Sequence, residues 1–262
     1  MILFRIFQFL RELVYMSKYS GKKYILTDIK KTLENGKTVY CIKAIKDFGH
    51  IRKGQIGGWV ESENNLSHDG ECWIKNDAVV YGNAYVSCNA IVQNDAIVYG
   101  NAYIKDNVLI LGNAEIYGDA LITGYSRITG FAKVYEQAKI GGAAFIASNA
   151  EIHGHAVLIG EIKITGRSDI YGSTVITGNS IISGDAKIKS CKDVLTITIA
   201  YDDTHTFFRC GSGEIYVICG SYDGNLNGFI CYINQIPYKN ESQLYLNMLR
   251  FVKTYFGINR KF

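Results

Sequence analysis

The sequence of 262 residues contains a single proline, Pro237. Proline cannot donate a backbone hydrogen bond and interrupts β-ladders, so its near absence leaves almost the whole chain free to form hydrogen-bonded strands. It also excludes a collagen-like or proline-rich extended chain. Glycine, by contrast, occurs 27 times, which indicates many tight corners. This combination is typical of regular β-structure with numerous turns.

The seven cysteines and five histidines follow no metal-binding or redox spacing. There is no Cys-x-x-Cys pair, and an odd number of irregularly spaced cysteines is typical of a protein from a reducing compartment. Asp202, Asp203 and His205 stand close together, but an Asp-Asp-Thr run between strands is more typical of a turn than of a ligand set. The sequence therefore predicts no metal site and a cytoplasmic location.

Charge and hydropathy argue against two further classes of protein, specific nucleic-acid-binding proteins and membrane-spanning proteins. Lysine and arginine exceed aspartate and glutamate by only 28 to 24, which does not indicate specific nucleic-acid binding. The excess is concentrated in residues 17–53, which indicates either a solvated surface or a site for a small anionic or nucleotide ligand. Residues 1–15 are apolar but charged at three positions and too short to span a bilayer. We expect residues 1–16 to form an apolar, amphipathic extension; the alternative is a natural start at Met16, which residues 1–15 would precede.

A six-residue repeat runs without a gap from Asp77 to Ser190. Its fourth position is Val, Ile or Leu in every unit, and its second position is mostly Ala or Ser. Its sixth position is mostly Gly and is followed, in the first units, by Asn or Asp, which are residues that tight corners favour. Each hexad thus predicts a short strand with two inward side chains and then a corner. Units of this kind bury their apolar stripe by stacking, so the repeat predicts a β-solenoid.

The fifth position of the hexads shows how many of them form one coil. Its aromatic residues recur every eighteen residues, which predicts three hexads per coil with the rings in one column. We call this column the Tyr ladder; its members are Tyr81, Tyr99, Tyr117, Tyr135, His153 and Tyr171. Two interpretations remain open. The rings stabilise the solenoid by stacking, or they form an exposed stripe that binds a ligand or a protein partner.

The hexads resemble those of the hexapeptide-repeat family, in which an aliphatic residue is followed four positions later by a small one, as at Val80/Ala84 and Ile110/Ala114. The resemblance implies a triangular left-handed parallel β-helix. The lead-in to the repeat carries a second pattern, made up of Gly57, Gly58, Trp59, Glu61, Asn65, Leu66, Ser67 and Trp73. This pattern resembles the lead-in of a group of phage, prophage and bacterial β-helix proteins, some of which are named transferases from their fold alone.

Both ends of the solenoid need caps, because an open end exposes unpaired backbone and apolar core. An Asn35-Gly36 turn predicts a β-hairpin cap in residues 17–64. Residues 65–190 are expected to form the β-helix, and residues 191–262 a C-terminal α+β domain of three strands and two helices. Asn240 and Gln243 form a candidate capping box for the last helix. The expected fold is an all-β solenoid with an N-terminal β cap and a C-terminal α+β cap.

Outward apolar residues predict a covered face. On the second strand of each coil, the third hexad position is mostly apolar, whereas the matching row on the first strand becomes charged toward its C-terminal end. We call this apolar row the oligomer face; it comprises Tyr85, Tyr103, Leu121, Val157 and Val175. Because members of the family often associate as trimers, the resemblance implies a homotrimer. Cover by the C-terminal residues of the same chain is the alternative.

The absence of an inserted loop in residues 77–190 and of recognisable catalytic motifs favours a non-catalytic binding or scaffold protein without a cofactor. The second resemblance implies a phage or prophage type that acts in the bacterial cytoplasm. The alternative that the family resemblance implies is an acyltransferase, which would bind acyl-coenzyme A and use a histidine as general base. His153 and His155 are then the candidate catalytic residues.

Overall fold

A computed structural model of the protein describes residues 20–199, 203–237 and 239–258. The predicted extension of residues 1–16 and the residue Asp202 lie outside these ranges. The repeat forms a column of short strands that belong to three parallel sheets, one for each face of a prism. Each strand pairs with the strand three hexads away, as Leu109 does with Arg127. The predicted β-solenoid with three hexads per coil is confirmed, and its parallel sheets are consistent with a left-handed β-helix.

The first face is continuous with the N-terminal cap sheet and contains β1 (Tyr24–Thr32), β2 (Thr38–Ala44), β3 (Ile56–Val60), β5 (Val79–Val80), β8 (Ile97–Val98), β11 (Glu115–Ile116), β14 (Lys133–Val134), β17 (Glu151–Ile152), β20 (Asp169–Ile170) and β23 (Lys187–Ile188). The second face contains β6 (Tyr85–Val86), β9 (Tyr103–Ile104), β12 (Leu121–Ile122), β15 (Lys139–Gly142), β18 (Val157–Gly160) and β21 (Val175–Gly178). The third face contains β4 (Trp73–Ile74), β7 (Ile91–Val92), β10 (Leu109–Ile110), β13 (Arg127–Ile128), β16 (Phe145–Ile146), β19 (Lys163–Ile164) and β22 (Ile181–Ile182).

The inside of the prism is filled by the second and fourth positions of the hexads. Ala114 and Ile116 are fully buried, and so are their equivalents in nearly every unit. At most corners a residue has a positive φ, which glycine adopts without steric cost. The residues other than glycine with a positive φ are mostly short and polar; they are Asn76, Cys88, Asn94, Asp106, Glu136 and Ser148. The local chemistry of the hexads thus accounts for both the core and the corners.

The lead-in residues seal the N-terminal end of the solenoid. Strand β3 pairs antiparallel with β2 and parallel with β5, so it connects the hairpin to the first coil. A side chain on Gly57 would collide with Ile42 and Trp73, which shows how tightly β3 lies on the first coil. Trp73 itself is fully buried beneath the cap. Gly57 and Trp73 therefore have a structural role here.

Similar capped turns lead into and out of the coils. At the entry, the Ser62 amide donates to the side chain of Asn65, which is fully buried and donates in turn to the carbonyl of Ala84. At the exit, the Ser190 amide donates to Asp193. Each turn is a short 3-10 helix closed by a capping box, and an extended aliphatic residue follows it. The two capping boxes satisfy backbone amide groups at the two ends of the repeat.

The C-terminal residues form an antiparallel sheet and two helices: β24 (Val194–Ile199), β25 (Asp203–Arg209), β26 (Ile215–Cys219), β27 (Tyr222–Asn225), α1 (Leu226–Asn234) and α2 (Lys239–Tyr255). Three strands and two helices were predicted, whereas β27 was not, because its Asp-Gly-Asn sequence is typical of a turn. A tight turn pairs Cys219 with Tyr222. The side chain of Asn240 lies outside the described part of the chain, and with it the predicted capping box.

The C-terminal sheet closes the end of the prism and leaves the second face open. Val194 and Phe208 join the core cluster of the solenoid, and the Thr206 hydroxyl accepts a hydrogen bond from the amide of Ile181 in the last coil. On the second face, Val175 remains 52% exposed. Within the described residues, the C-terminal part of the chain therefore does not cover this face.

Candidate functional site

The Tyr ladder lies on the first face, where each ring follows a strand of the parallel sheet. In-register parallel strands place equivalent residues about 4.8 Å apart, which is the distance at which aromatic rings stack. The centroids of neighbouring rings are 4.6 to 5.3 Å apart and their planes lie within 8° of each other. The structure thus brings all six predicted rings into one column.

Stacking occupies the ring faces of the ladder. Each interior rung has a neighbouring ring on both faces, whereas among the described rings the end rungs Tyr81 and Tyr171 each stack on one neighbour. The Nζ atom of Lys37 lies 5.6 Å from the ring centroid of Tyr81. A flat ligand therefore has no free interior face to stack on, and a partner would meet ring edges and hydroxyl groups instead.

Burial raises the pKa of four tyrosines of the ladder. It raises the pKa of Tyr81 and Tyr117, and raises the pKa of Tyr99 to about 12. The pKa of Tyr135 is raised by burial and also by Glu151, whose carboxylate accepts a 3.1 Å hydrogen bond from the phenol. The ladder thus offers a row of hydrogen-bond donors at neutral pH.

Charged side chains flank the ladder on the same face. Lys133 lies 3.5 Å from Glu115, and acidic residues continue along the row at Glu151 and Asp169. A polyanion that followed the ladder would meet these carboxylates at close range. The electrostatics of the first face therefore disfavour a nucleic-acid backbone as its partner.

His153 is held in place on every side. Its ring lies between Tyr135 and Tyr171, its Nε2 is 3.0 Å from Asp169 Oδ1, and its Nδ1 is 3.9 Å from Glu136 Oε2. A histidine oriented by a carboxylate is an arrangement that general-base catalysis uses. The eighteen-residue period predicted that His153 lies in the Tyr ladder, but it did not predict the contact of His153 with Asp169. His155 lies at the neighbouring corner, where it is exposed.

Four described cavities lie away from both histidines. Four cavities on the described part of the chain have volumes from about 290 to about 490 Å³, and none of these four is lined by His153 or His155. The smallest lies at the head of the ladder, between Tyr81 and the hairpin turn at Asn35. The largest belongs to the C-terminal domain, beside Arg209.

Neither a metal centre nor a membrane span is found in the described ranges. No group of three or more His, Cys, Asp or Glu side chains there has an arrangement that could hold a metal ion. His205, which the sequence placed near two aspartates, is buried in the C-terminal domain. Neither described helix has the length and apolarity that a bilayer crossing requires.

The oligomer face is a flat, partly exposed apolar surface. Tyr85 and Tyr103 stack with a centroid distance of 5.7 Å, and Tyr103 is 38% exposed. The strands β15, β18 and β21 extend over four residues each, twice the usual length in this solenoid. The longer strand β18 adds Ile159, which is 53% exposed. Ile159 was not assigned to this face from the sequence, because only the third hexad positions were considered. The alternation of outward and inward residues in Val157-Leu158-Ile159 could have predicted it.

Comparison with known proteins gives a local match. No protein-family model matches the chain. A stretch of 49 residues is 41% identical to a protein of Escherichia coli (strain K12) described as "Uncharacterized acetyltransferase YdcK". The match spans 18% of this chain and only 15% of that protein. With the fold, this local similarity is consistent with the hexapeptide-repeat, transferase-like family.

The stacking geometry predicts different losses of stability for interior and end rungs. Tyr117→Leu removes two stacks and Tyr171→Leu removes one, and each stack contributes about 0.5–1.5 kcal/mol beyond area burial. We expect the free energy of unfolding in urea to fall about twice as far for Tyr117→Leu as for Tyr171→Leu. Equal losses would show that the rings are packed independently.

Proposed function

We propose that this protein is a non-catalytic binding or scaffold protein of the phage and prophage type, acting in the bacterial cytoplasm. The observation that carries the proposal is the uninterrupted prism: within residues 77–190, all of which the structure describes, every hexad leads directly into the next. Flat faces without an inserted loop suit the recognition of another macromolecule better than the enclosure of a substrate.

The two candidate faces suit different partners. The first face presents tyrosine edges and hydroxyl donors between charges of both signs, which suits the polar surface of a protein partner. The second face presents a row of apolar side chains, which suits a second copy of the same chain. We propose a homo-oligomer, with a trimer favoured, that leaves the Tyr ladder available to a partner.

An acyltransferase is the second candidate, and the pair of His153 and Asp169 favours it. Because Asp169 engages Nε2, the nitrogen left to accept a proton is Nδ1, beside the carboxylate of Glu136. The local relative described as an uncharacterized acetyltransferase points the same way. In this case acyl-coenzyme A would be the acyl donor, and a neighbouring subunit would have to complete a pocket beside His153.

A thermal-shift screen with coenzyme A, acetyl-coenzyme A, nucleotides and cyclic nucleotides separates the two functions. A ligand at a hundredfold excess over its Kd stabilises the folded state by about 2.7 kcal/mol. We expect no stabilisation specific to coenzyme A, because none of the four described cavities is lined by either histidine. Nucleotides test the basic cap region independently.

Two histidine variants make this screen decisive. His153→Phe keeps an aromatic rung and removes the imidazole, and His155→Ala removes the exposed histidine; Gln137→Ala, at the same corner, is the control. Stabilisation by coenzyme A that is lost in either histidine variant and retained in the control would overturn the binding proposal in favour of the acyltransferase.

A further inference from the structure

A lysine and a cysteine lie in contact beneath the N-terminal cap. Lys23 directly precedes β1 and Cys72 directly precedes β4, and the side chains are 1% and 0% exposed. The Lys23 Nζ atom lies 3.2 Å from Cys72 Sγ. Its other hydrogen bonds go to the carbonyl oxygens of Asp69 and Gly70, at 3.3 and 3.1 Å. The described acceptors of this lysine thus include the sulfur and two carbonyls.

Burial and the contact between the two groups shift their pKa values in opposite directions. Burial lowers the pKa of the Lys23 amine, although Cys72 and Asp69 oppose this shift. Burial likewise raises the pKa of the Cys72 thiol, and Lys23 opposes that shift. A neutral amine has a free electron pair and is a nucleophile, unlike an ammonium group. Lys23 donates to all three acceptors as an ammonium group, and loss of one proton, which burial favours, would place a nucleophilic nitrogen at contact distance from an oxidisable sulfur.

We propose that Lys23 and Cys72 form an oxidative cross-linking site that hydrogen peroxide activates. One peroxide molecule oxidises the Cys72 thiol to a sulfenic acid and is reduced to water. The Lys23 nitrogen then attacks the sulfur, a nitrogen–sulfur bond forms, and the sulfenic hydroxyl leaves as a second water with a proton from the amine. The two steps together consume one peroxide and remove two hydrogen atoms from the protein.

The position of the pair gives the link a structural consequence. Asp69, Gly70 and Glu71 are exposed, so the segment that covers the pair borders the solvent. The link would tie the start of β1 to the start of β4 and so join the cap covalently to the first coil. Cross-links of this kind stabilise a fold mainly by restricting its unfolded chain. The inference does not depend on the proposed function.

Peptide mapping after peroxide treatment tests the site. The exposed cysteines Cys88, Cys191 and Cys231 are first replaced by serine so that they do not compete for oxidant. Serine is compatible with the positive φ of Cys88, since Ser148 adopts the same conformation. The folded protein is treated with hydrogen peroxide, digested without reductant and analysed by tandem mass spectrometry.

We expect a peptide containing Lys23 joined to one containing Cys72, lighter by two hydrogen atoms than their sum. The linked species should disappear on treatment with a thiol reductant, in protein oxidised while unfolded in urea, and in Cys72→Ser and Lys23→Met. The melting temperature of the oxidised folded protein should rise.

The same treatment of the unaltered chain keeps the test independent of the folding of any variant. Recovery of Cys72 as a free thiol, or as a sulfinic or sulfonic acid, with no linked peptide from folded protein would overturn the proposal. So would an equal yield of the link from urea-unfolded protein, because the folded geometry would then play no part.

Discussion

Replacing Gly160 with alanine is expected to lower the free energy of unfolding by about 3–5 kcal/mol, the sum of backbone strain and overpacking at one site. Gly160 ends β18 with φ of 138°, a conformation that residues with a side chain rarely adopt. An added Cβ would also collide with the carbonyl oxygen of Gly178 in the next coil. Because that atom belongs to the backbone of a hydrogen-bonded strand, it can move only by disturbing the sheet.

Gly178→Ala provides a matched control. Gly178 occupies the equivalent corner one coil later with φ of 82°, but an added Cβ there would meet no atom within 4 Å. Its cost is therefore limited to the left-handed conformation, about 1–2 kcal/mol. Urea unfolding of both variants measures the difference. Losses of equal size would mean that the close approach of successive coils at Gly160 does not constrain the fold.

If the wild-type protein forms the proposed oligomer, a double variant with Leu121→Lys and Val157→Lys is expected to be a monomer. Both residues lie on the oligomer face, where four-residue strands and the exposed Ile159 extend the apolar surface. Burying an unpaired ammonium group costs several kcal/mol for each site, which is a large part of the binding free energy of a typical subunit contact. Light scattering coupled to size exclusion reports the mass directly.

Lysines at two exposed corner positions, in a variant with Gln137→Lys and Ser173→Lys, control for the change in net charge. This variant should keep the mass of the wild-type assembly. A wild-type protein that is already monomeric would refute the oligomer. An assembly that survives Leu121→Lys and Val157→Lys would instead place the contact on another face of the prism.

The sequence by itself determined the repeating part of this protein. An aliphatic residue at every fourth hexad position, as at Val80 and Ile110, specifies an inward stripe, and glycine at the sixth position specifies a corner. The aromatic period of eighteen residues then fixed three hexads per coil. These features are readable because each depends only on neighbours in the chain or on an exact repeat, so no knowledge of distant contacts was needed.

Other features were decided only by tertiary structure. The eighteen-residue period predicted that the rings of the Tyr ladder lie in one column. Only the coil-to-coil distance shows that stacking occupies the ring faces and leaves the ring edges accessible to a partner. The pair of His153 with Asp169 joins neighbouring coils, and the pair of Lys23 with Cys72 joins the cap to the first coil. No periodicity encodes such pairs, because they depend on how separate elements pack and on which side chains that packing buries.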